Sequence, residues 1–124
     1  MSYRSVNPAT GEVLKTFPEH TDQEMMDALA TADKAFISWA ARPTEERTKI
    51  ISRAAQLLLE RKSELAKLAT LEMGKRIAES RGEVELSAAI LQYFADHAAE
   101  LLAPKSFKSA MGDAQLEFSP LGAC

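Results

Sequence analysis

Leu71-Glu72-Met73-Gly74-Lys75, followed after Arg76–Ser80 by Arg81-Gly82-Glu83-Val84, is the stretch on which the reading of this chain turns. A helix carrying Leu65, Leu68 and Leu71 runs into it, with Ser63 as the residue expected to cap its start. Gly74 is expected just past its end, because glycine takes the left-handed conformation that closes a helix at no steric cost. Lys75 and Arg76 then lie near the negative end of the helix dipole. The chain restarts as its longest helix, about residues 76–102, closed by Pro104. Gly82 inside it costs about 1 kcal/mol relative to Ala. One apolar stripe of this helix is Val84, Ala88, Leu91, Ala95, Ala98 and Leu102, and a second is Leu86, Ile90, Tyr93, His97 and Leu101. A helix apolar over so wide an arc is normally buried on two sides. Three shorter helices are expected to cover one side, and something else the other.

Upstream, Thr21 and Glu24 form a T-x-x-E capping box at the start of a first helix, with Asp22 adding charge at its positive end. Met25, Leu29, Ala32, Phe36 and Trp39 follow at helical spacing. Arg42-Pro43 stops this helix. Thr44 is expected to cap a second one, with Ile50, Ala54, Leu57 and Leu58 as its stripe and Glu45–Lys49 as a solvent-side pair. Residues 3–6 and 13–17 read as strands joined by the turn Asn7-Pro8-Ala9-Thr10-Gly11. A lone hairpin is marginal in water, so this one needs a helix or strand to lie on. At the other end, Ala114–Ser119 alternates with period two and reads as a strand. Its one visible pairing candidate is residues 105–110, through a turn at Gly112. The fold class expected is therefore α+β and mostly helical: an N-terminal β-hairpin, four helices and a C-terminal strand.

Composition bounds the function. The chain has 124 residues, a net charge of −3 and 46% hydrophobic residues, an ordinary globular make-up. The acidic balance argues against nucleic-acid and anionic-membrane partners, which need clustered positive charge. No stretch approaches the roughly 20 apolar residues of a membrane span, and the N-terminus has no apolar signal region. The expected setting is cytoplasmic. The single Cys excludes an internal disulfide framework.

A search for reactive groups finds little. The five glycines at 11, 74, 82, 112 and 122 form neither G-x-G-x-x-G nor a Walker loop. Met73-Gly74-Lys75 reads as a helix end and not as a phosphate loop. His20 and His97 are the only histidines, with no Cys or His at ligand spacing, so no metal site is expected. His20 reads as a solvated residue before the cap, and His97 as a boundary residue. Cys124, the last residue, is not expected to be catalytic, because a chain terminus does not dependably offer the base or positive field that activates a thiol. Glu72, Glu79, Glu83 and Glu85 read as solvated faces, with Glu72–Arg76 an i,i+4 pair. Phe36 and Trp39 fit a core stripe. No catalytic and no cofactor-binding residue is assigned.

Beside these readings stands a resemblance. Val6-Asn7-Pro8-Ala9-Thr10-Gly11-Glu12-Val13 resembles the opening hairpin of NAD(P)-dependent aldehyde dehydrogenases. Ala35-Phe36, Trp39-Ala40, Pro43 and Glu46-Arg47 are similar to that family's first helix pair. Leu71–Lys75 with Arg81–Val84 is the most specific match, and Pro120-Leu121-Gly122 resembles the approach to the first Rossmann strand. The likeness runs over essentially the whole chain. Leu71–Lys75 and Tyr93-Phe94-Ala95-Asp96 most resemble succinate-semialdehyde dehydrogenases.

The resemblance implies an NAD(P)+-dependent oxidation of an aldehyde to an acid, succinate semialdehyde to succinate being the candidate. A Cys thiolate attacks the aldehyde, hydride passes to the nicotinamide and a Glu-activated water hydrolyses the thioester. The family enzyme is several-fold longer, and the nucleophile, the general base and the cofactor site are implied to lie beyond residue 124. Cys124 does not match the nucleophile. The resemblance places residues 1–124 as the N-terminal part of the enzyme's domain, inactive alone and binding neither NAD nor NADP. It implies that Glu83, Leu86, Ser87 and Ile90 border the substrate tunnel, core packing being the competing reading. It also implies that the tail strand belongs to the small oligomerisation sheet. Exposed apolar surface is then expected, open to self-association or to the missing remainder. The rival reading is a stand-alone helical module that binds itself or a partner. A third has Cys124 working as an exposed thiol.

Overall fold

The computed structural model describes residues 3–122. Two strands come first, β1 (Tyr3–Val6) and β2 (Val13–Phe17). Four helices follow: α1 (Asp22–Ala40), α2 (Thr44–Glu60), α3 (Lys62–Met73) and α4 (Ile77–Leu101). Two more strands, β3 (Lys105–Ser109) and β4 (Gly112–Leu116), complete the order. Each strand pair is an antiparallel hairpin of its own.

The first hairpin forms where its sequence puts it. Asn7 Oδ1 accepts from Ala9 N at 3.0 Å, and Gly11 N donates to Asn7 O at 2.8 Å with Gly11 at φ 75. That is side-chain and glycine turn chemistry. The support a lone hairpin needs comes from α3, where Ser5 Oγ donates to Glu72 Oε1 at 2.7 Å. Pro8 lies against Gly74, so close that a Cβ on Gly74 would come within 2.9 Å of Pro8 Cγ. Gly74 closes α3 at φ 69, as expected, and its N–H donates to Thr70 O. Glycine is thus required there twice, by conformation and by close approach.

The helical core is α2, α3 and α4. Its fully buried positions are Ala55, Ala66, Ala88 and Ser80, all small. Helix axes approach most closely where the contact residues are small. Ser80 Oγ and Thr70 Oγ1 lie 3.1 Å apart and satisfy each other between α3 and α4. Ser52 Oγ donates to Gln92 Oε1 at 3.0 Å between α2 and α4. Of the two stripes of α4, the one with Val84, Ala88, Leu91, Ala95 and Ala98 packs inward. The other is bare, with Leu86 61% and Tyr93 52% exposed.

Several expectations are corrected. Helix α1 keeps its capping box, with Glu24 N donating to Thr21 Oγ1 and Thr21 N to Glu24 Oε2. Yet among the described residues it buries none, and Met25 and Leu29 are more than half exposed. Only α2 and α3 therefore pack on α4 to any extent. Thr44 is already helical, so its hydroxyl cannot turn back as a cap. Extended Pro43 (ψ 144) precedes it, and its carbonyl accepts from Glu46 N and Arg47 N. Ser63 lies inside α3, because Arg61 (φ −98, ψ 13) carries the backbone bonding on from α2 and no cap is needed. On α2 the packed face runs through Ile51, Ala55 and Leu58, and Ile50 and Leu57 are turned toward solvent. The Glu72–Arg76 pair does not form across the helix end at Gly74: Glu72 takes Ser5, and Arg76 pairs with Glu79. The tail strand does pair with residues 105–109, as expected, but it runs over Gly112–Leu116 and the turn is Ala110-Met111, with Ser109 opposite Gly112. Ser109 Oγ accepts from Met111 N and donates to Gly112 O, which tightens the turn.

The accessible surface is 10094 Å². A compact monomer of this mass, 13.6 kDa, would expose about 6,600 Å². The excess is carried by α1, by the bare stripe of α4 and by the β3–β4 hairpin, all of them apolar in part.

Candidate functional site

Helix α4 starts after Arg76 (φ −63, ψ 137), which is extended and donates its side chain to Glu79. From there the chain is helical for 25 residues. Positions 83, 86, 87 and 90 are spaced i, i+3, i+4 and i+7, so the helix brings Glu83, Leu86, Ser87 and Ile90 onto one face. All four are exposed. That face lies about 110° around the helix from the stripe packed on α2 and α3, and the exposure of all four places them outside the core of this chain. Glu83 Oε2 accepts from Lys75 Nζ at 2.6 Å. Lys75 reaches it from the segment after Gly74, and the pair offsets the carboxylate charge. Leu86 and Ile90 (48% exposed) are thus an apolar surface flanked by a hydroxyl and a neutralised carboxylate. Tyr93 continues it, its ring edge-on to Phe94 and 4.5 Å from that of His97.

A second feature was not anticipated from the sequence. Grooves of about 210 and 350 Å³ meet where the start of α2, the end of α4, Trp39 and the tail residues Phe118–Pro120 converge. Both are lined by Arg47 and Leu102. Among the described residues Arg47 Nε is buried without a hydrogen-bond partner. Its Nη2 reaches Thr44 Oγ1 at only 3.4 Å. A guanidinium nitrogen inside a groove is invisible to periodicity, and Arg47 stands in the polar run Thr44–Lys49, which reads as a solvated helix start.

The remaining candidates hold no reaction centre. His20 Nδ1 lies 3.7 Å from Glu24 Oε2 with its side chain 82% exposed, the solvated place expected of it. Glu79 and Glu85 pair with Arg76 and Lys62 on the surface. The carboxyl of Glu24 is held below the usual range by the backbone N–H of Thr21, then by its hydroxyl, then by His20. The Glu64 carboxyl is lowered by hydrogen bonding to Arg61 and by its charge. Both are helix-start features and lie in no cleft. Among the described residues no group of three His, Cys, Asp or Glu is placed to hold a metal. Among the described residues no helix is long and apolar enough to cross a membrane. Cys124 lies outside the described residues.

Comparison with known proteins agrees with the motif order. The profile described as the aldehyde dehydrogenase family matches residues 1–124. A succinate-semialdehyde dehydrogenase [NADP(+)] of Deinococcus radiodurans is 45% identical over 120 residues, covering 97% of this chain and 25% of that protein. A glutarate-semialdehyde dehydrogenase of Pseudomonas putida is 40% identical over 92 residues, 74% of this chain and 19% of that one. Among solved structures, that of Gox0499 superposes with a TM-score of 0.93 at 34% identity, over 98% of this chain and 27% of the other. The succinic semialdehyde dehydrogenase of Streptococcus pyogenes, in complex with NADP+, gives 0.86 at 35%, over 91% and 25%. The chain therefore spans about a quarter of the length of the relatives it matches.

Proposed function

Because the chain belongs to the aldehyde dehydrogenase family, we propose that it is the N-terminal part of an NAD(P)+-dependent enzyme that oxidises a semialdehyde, with succinate semialdehyde as the candidate substrate. The observation that carries this is the family match along residues 1–124 with 45% identity to a succinate-semialdehyde dehydrogenase. The thiol, base and nicotinamide chemistry belong to portions of the family enzyme that this chain lacks. The 124 residues alone are therefore inactive and bind neither NAD nor NADP. The proposal includes a cytoplasmic setting. A stand-alone interaction module is not favoured, since nearly the whole chain matches one enzyme family.

Within that enzyme, Glu83, Leu86, Ser87 and Ile90 border the path of the aldehyde. Leu86 and Ile90 would keep water from the carbonyl, since apolar side chains offer it no hydrogen bonds. The Lys75–Glu83 pair would spare an anionic semialdehyde the repulsion of a free carboxylate.

Two measurements test this. The purified chain, given NAD+ or NADP+ with succinate semialdehyde, should form no reduced nicotinamide; saturable turnover free of contaminating enzyme would overturn the inactivity. A chimera in which this chain replaces the matched quarter of the Deinococcus radiodurans enzyme should turn over. In it, Ile90→Phe should raise KM for the aldehyde several-fold and leave that for NADP+ unchanged. An unaltered aldehyde KM would remove Ile90 from the path.

A further inference from the structure

We infer that Lys75 is a specificity-determining residue: by neutralising Glu83 it lets the aldehyde path along α4 admit semialdehydes that carry a carboxylate, acting on them through Glu83 and not by contact. The inference rests on the path proposed above and adds the residue that sets its charge and the substrate class which that charge admits.

Helical spacing places the charges. Glu79, Glu83, Leu86 and Ile90 of α4 fall within about 60° of one another around the helix. Glu79 and Glu83 are i,i+4, the spacing at which like charges repel. Left bare, they would set two negative charges beside Leu86 and Ile90. Each instead meets a cation from the short segment between α3 and α4. Arg76 donates from Nε and Nη2 to Glu79 Oε1, and Lys75 Nζ donates to Glu83 Oε2 at 2.6 Å. Glu85 lies about 130° around the helix from that group and takes its cation, Lys62, from the start of α3. Residues 75 and 76 therefore serve the carboxylates of the path face.

Local structure fixes Lys75 in this place. Gly74 ends α3 in the left-handed conformation (φ 69) with its N–H on Thr70 O, and Pro8 of the first hairpin lies against it. Lys75 leaves that turn half-buried and reaches Glu83 about two turns into α4. Arg76 with Glu79 already serves the helix start, and a half-exposed pair such as Lys75–Glu83 stabilises a fold little. Its effect falls on charge. Two unit charges about 8 Å apart, at an effective dielectric between about 20 and 80, change an affinity by about two- to thirtyfold. A semialdehyde with a carboxylate feels that difference, and a neutral aldehyde of the same length does not.

The test uses the chimera with the rest of the Deinococcus radiodurans enzyme and two substrates of equal length, succinate semialdehyde and butanal. The readout is the ratio of kcat/KM for the first over the second. Lys75→Met keeps the aliphatic stem, removes the charge and should lower the ratio by about threefold or more. The loss should fall on KM for succinate semialdehyde, with kcat held within about twofold. Lys75→Arg should hold the ratio. Glu83→Gln leaves Lys75 unpaired and should raise it, and the Lys75→Met/Glu83→Gln double variant should return it to the starting value. Thermal midpoints should stay within about 2 °C of the parent. A ratio that Lys75→Met leaves unchanged would overturn the inference. So would equal losses on both substrates, or a double variant as poor as Lys75→Met, because Lys75 would then serve the fold. A chimera that oxidises neither substrate sinks the proposed activity, and the ratio of their Kd values by calorimetry then decides Lys75. One that turns over with a ratio indifferent to Lys75 keeps the activity and sinks the inference.

Discussion

Gly74→Ala is the substitution that tests the packing of the N-terminal hairpin most directly. Two costs are visible. A non-glycine residue at φ 69 pays about 1–2 kcal/mol for the left-handed conformation. The added Cβ would also come 2.9 Å from Pro8 Cγ. The proline ring is stiff, and Ser5–Glu72 holds its hairpin on α3, so relief requires moving the hairpin by some tenths of an ångström. Overpacking of this kind costs typically about 1–3 kcal/mol, which puts Gly74→Ala at about 2–5 kcal/mol in all. Urea unfolding followed by circular dichroism reads the loss as a lower midpoint at unchanged slope. Pro8→Ala removes the opposing Cγ and by itself should cost under about 1 kcal/mol. In the double variant the steric part disappears, so the two changes should couple favourably by about 1–3 kcal/mol. Gly11→Ala is the control: φ is 75, but nothing lies within 4 Å of the new Cβ. It should show the conformational cost alone, read from exchange of the hairpin amides, since the hairpin opens without the helices. A coupling below about 0.3 kcal/mol between positions 8 and 74 would refute the close-approach argument.

Three further outcomes are expected. Ser80→Ala should cost about 1–2 kcal/mol by stranding the Thr70 hydroxyl, and adding Thr70→Val should recover most of it, since removing both partners leaves nothing unpaired; a double variant no better than the single would contradict this. Gly82→Ala should stabilise the isolated chain by about 0.5–1 kcal/mol, because its new Cβ meets open space within a helix; destabilisation in urea would show a strain the helix geometry does not contain. The Glu24 carboxyl is lowered in the folded state by Thr21, so its contribution is complete above the unfolded value near 4.3 and is lost as pH falls through the lower folded value. Acid titration by circular dichroism should therefore show α1 unwinding below that range, and Glu24→Gln should abolish the step; an unchanged titration would sink it.

What is legible from the sequence here is what local chemistry determines. Thr21 with Glu24, Asn7–Gly11 and Gly74 each act within a few residues, so the strand bounds, the start of α1 and the end of α3 follow from them directly. The ordered motifs likewise carried the family without coordinates. Capping at Thr44 and Ser63 failed because a residue's own φ and ψ, set by Pro43 before it and by the unbroken join at Arg61, decide whether its hydroxyl can turn back.

Tertiary structure decided which apolar residues are covered. Periodicity finds a stripe but not its partner: Met25 to Trp39 on α1 is as regular as Val84 to Ala98 on α4, yet the first is largely bare and the second packed. The register of β3 on β4 turns on Ala110-Met111, which carries no strong turn signal although the pairing itself is legible, and the buried nitrogen of Arg47 depends on four segments meeting. Secondary structure is bonded between neighbours in the chain and is written in their order. Burial depends on what lies across space, which no stretch of sequence spells out by its own periodicity.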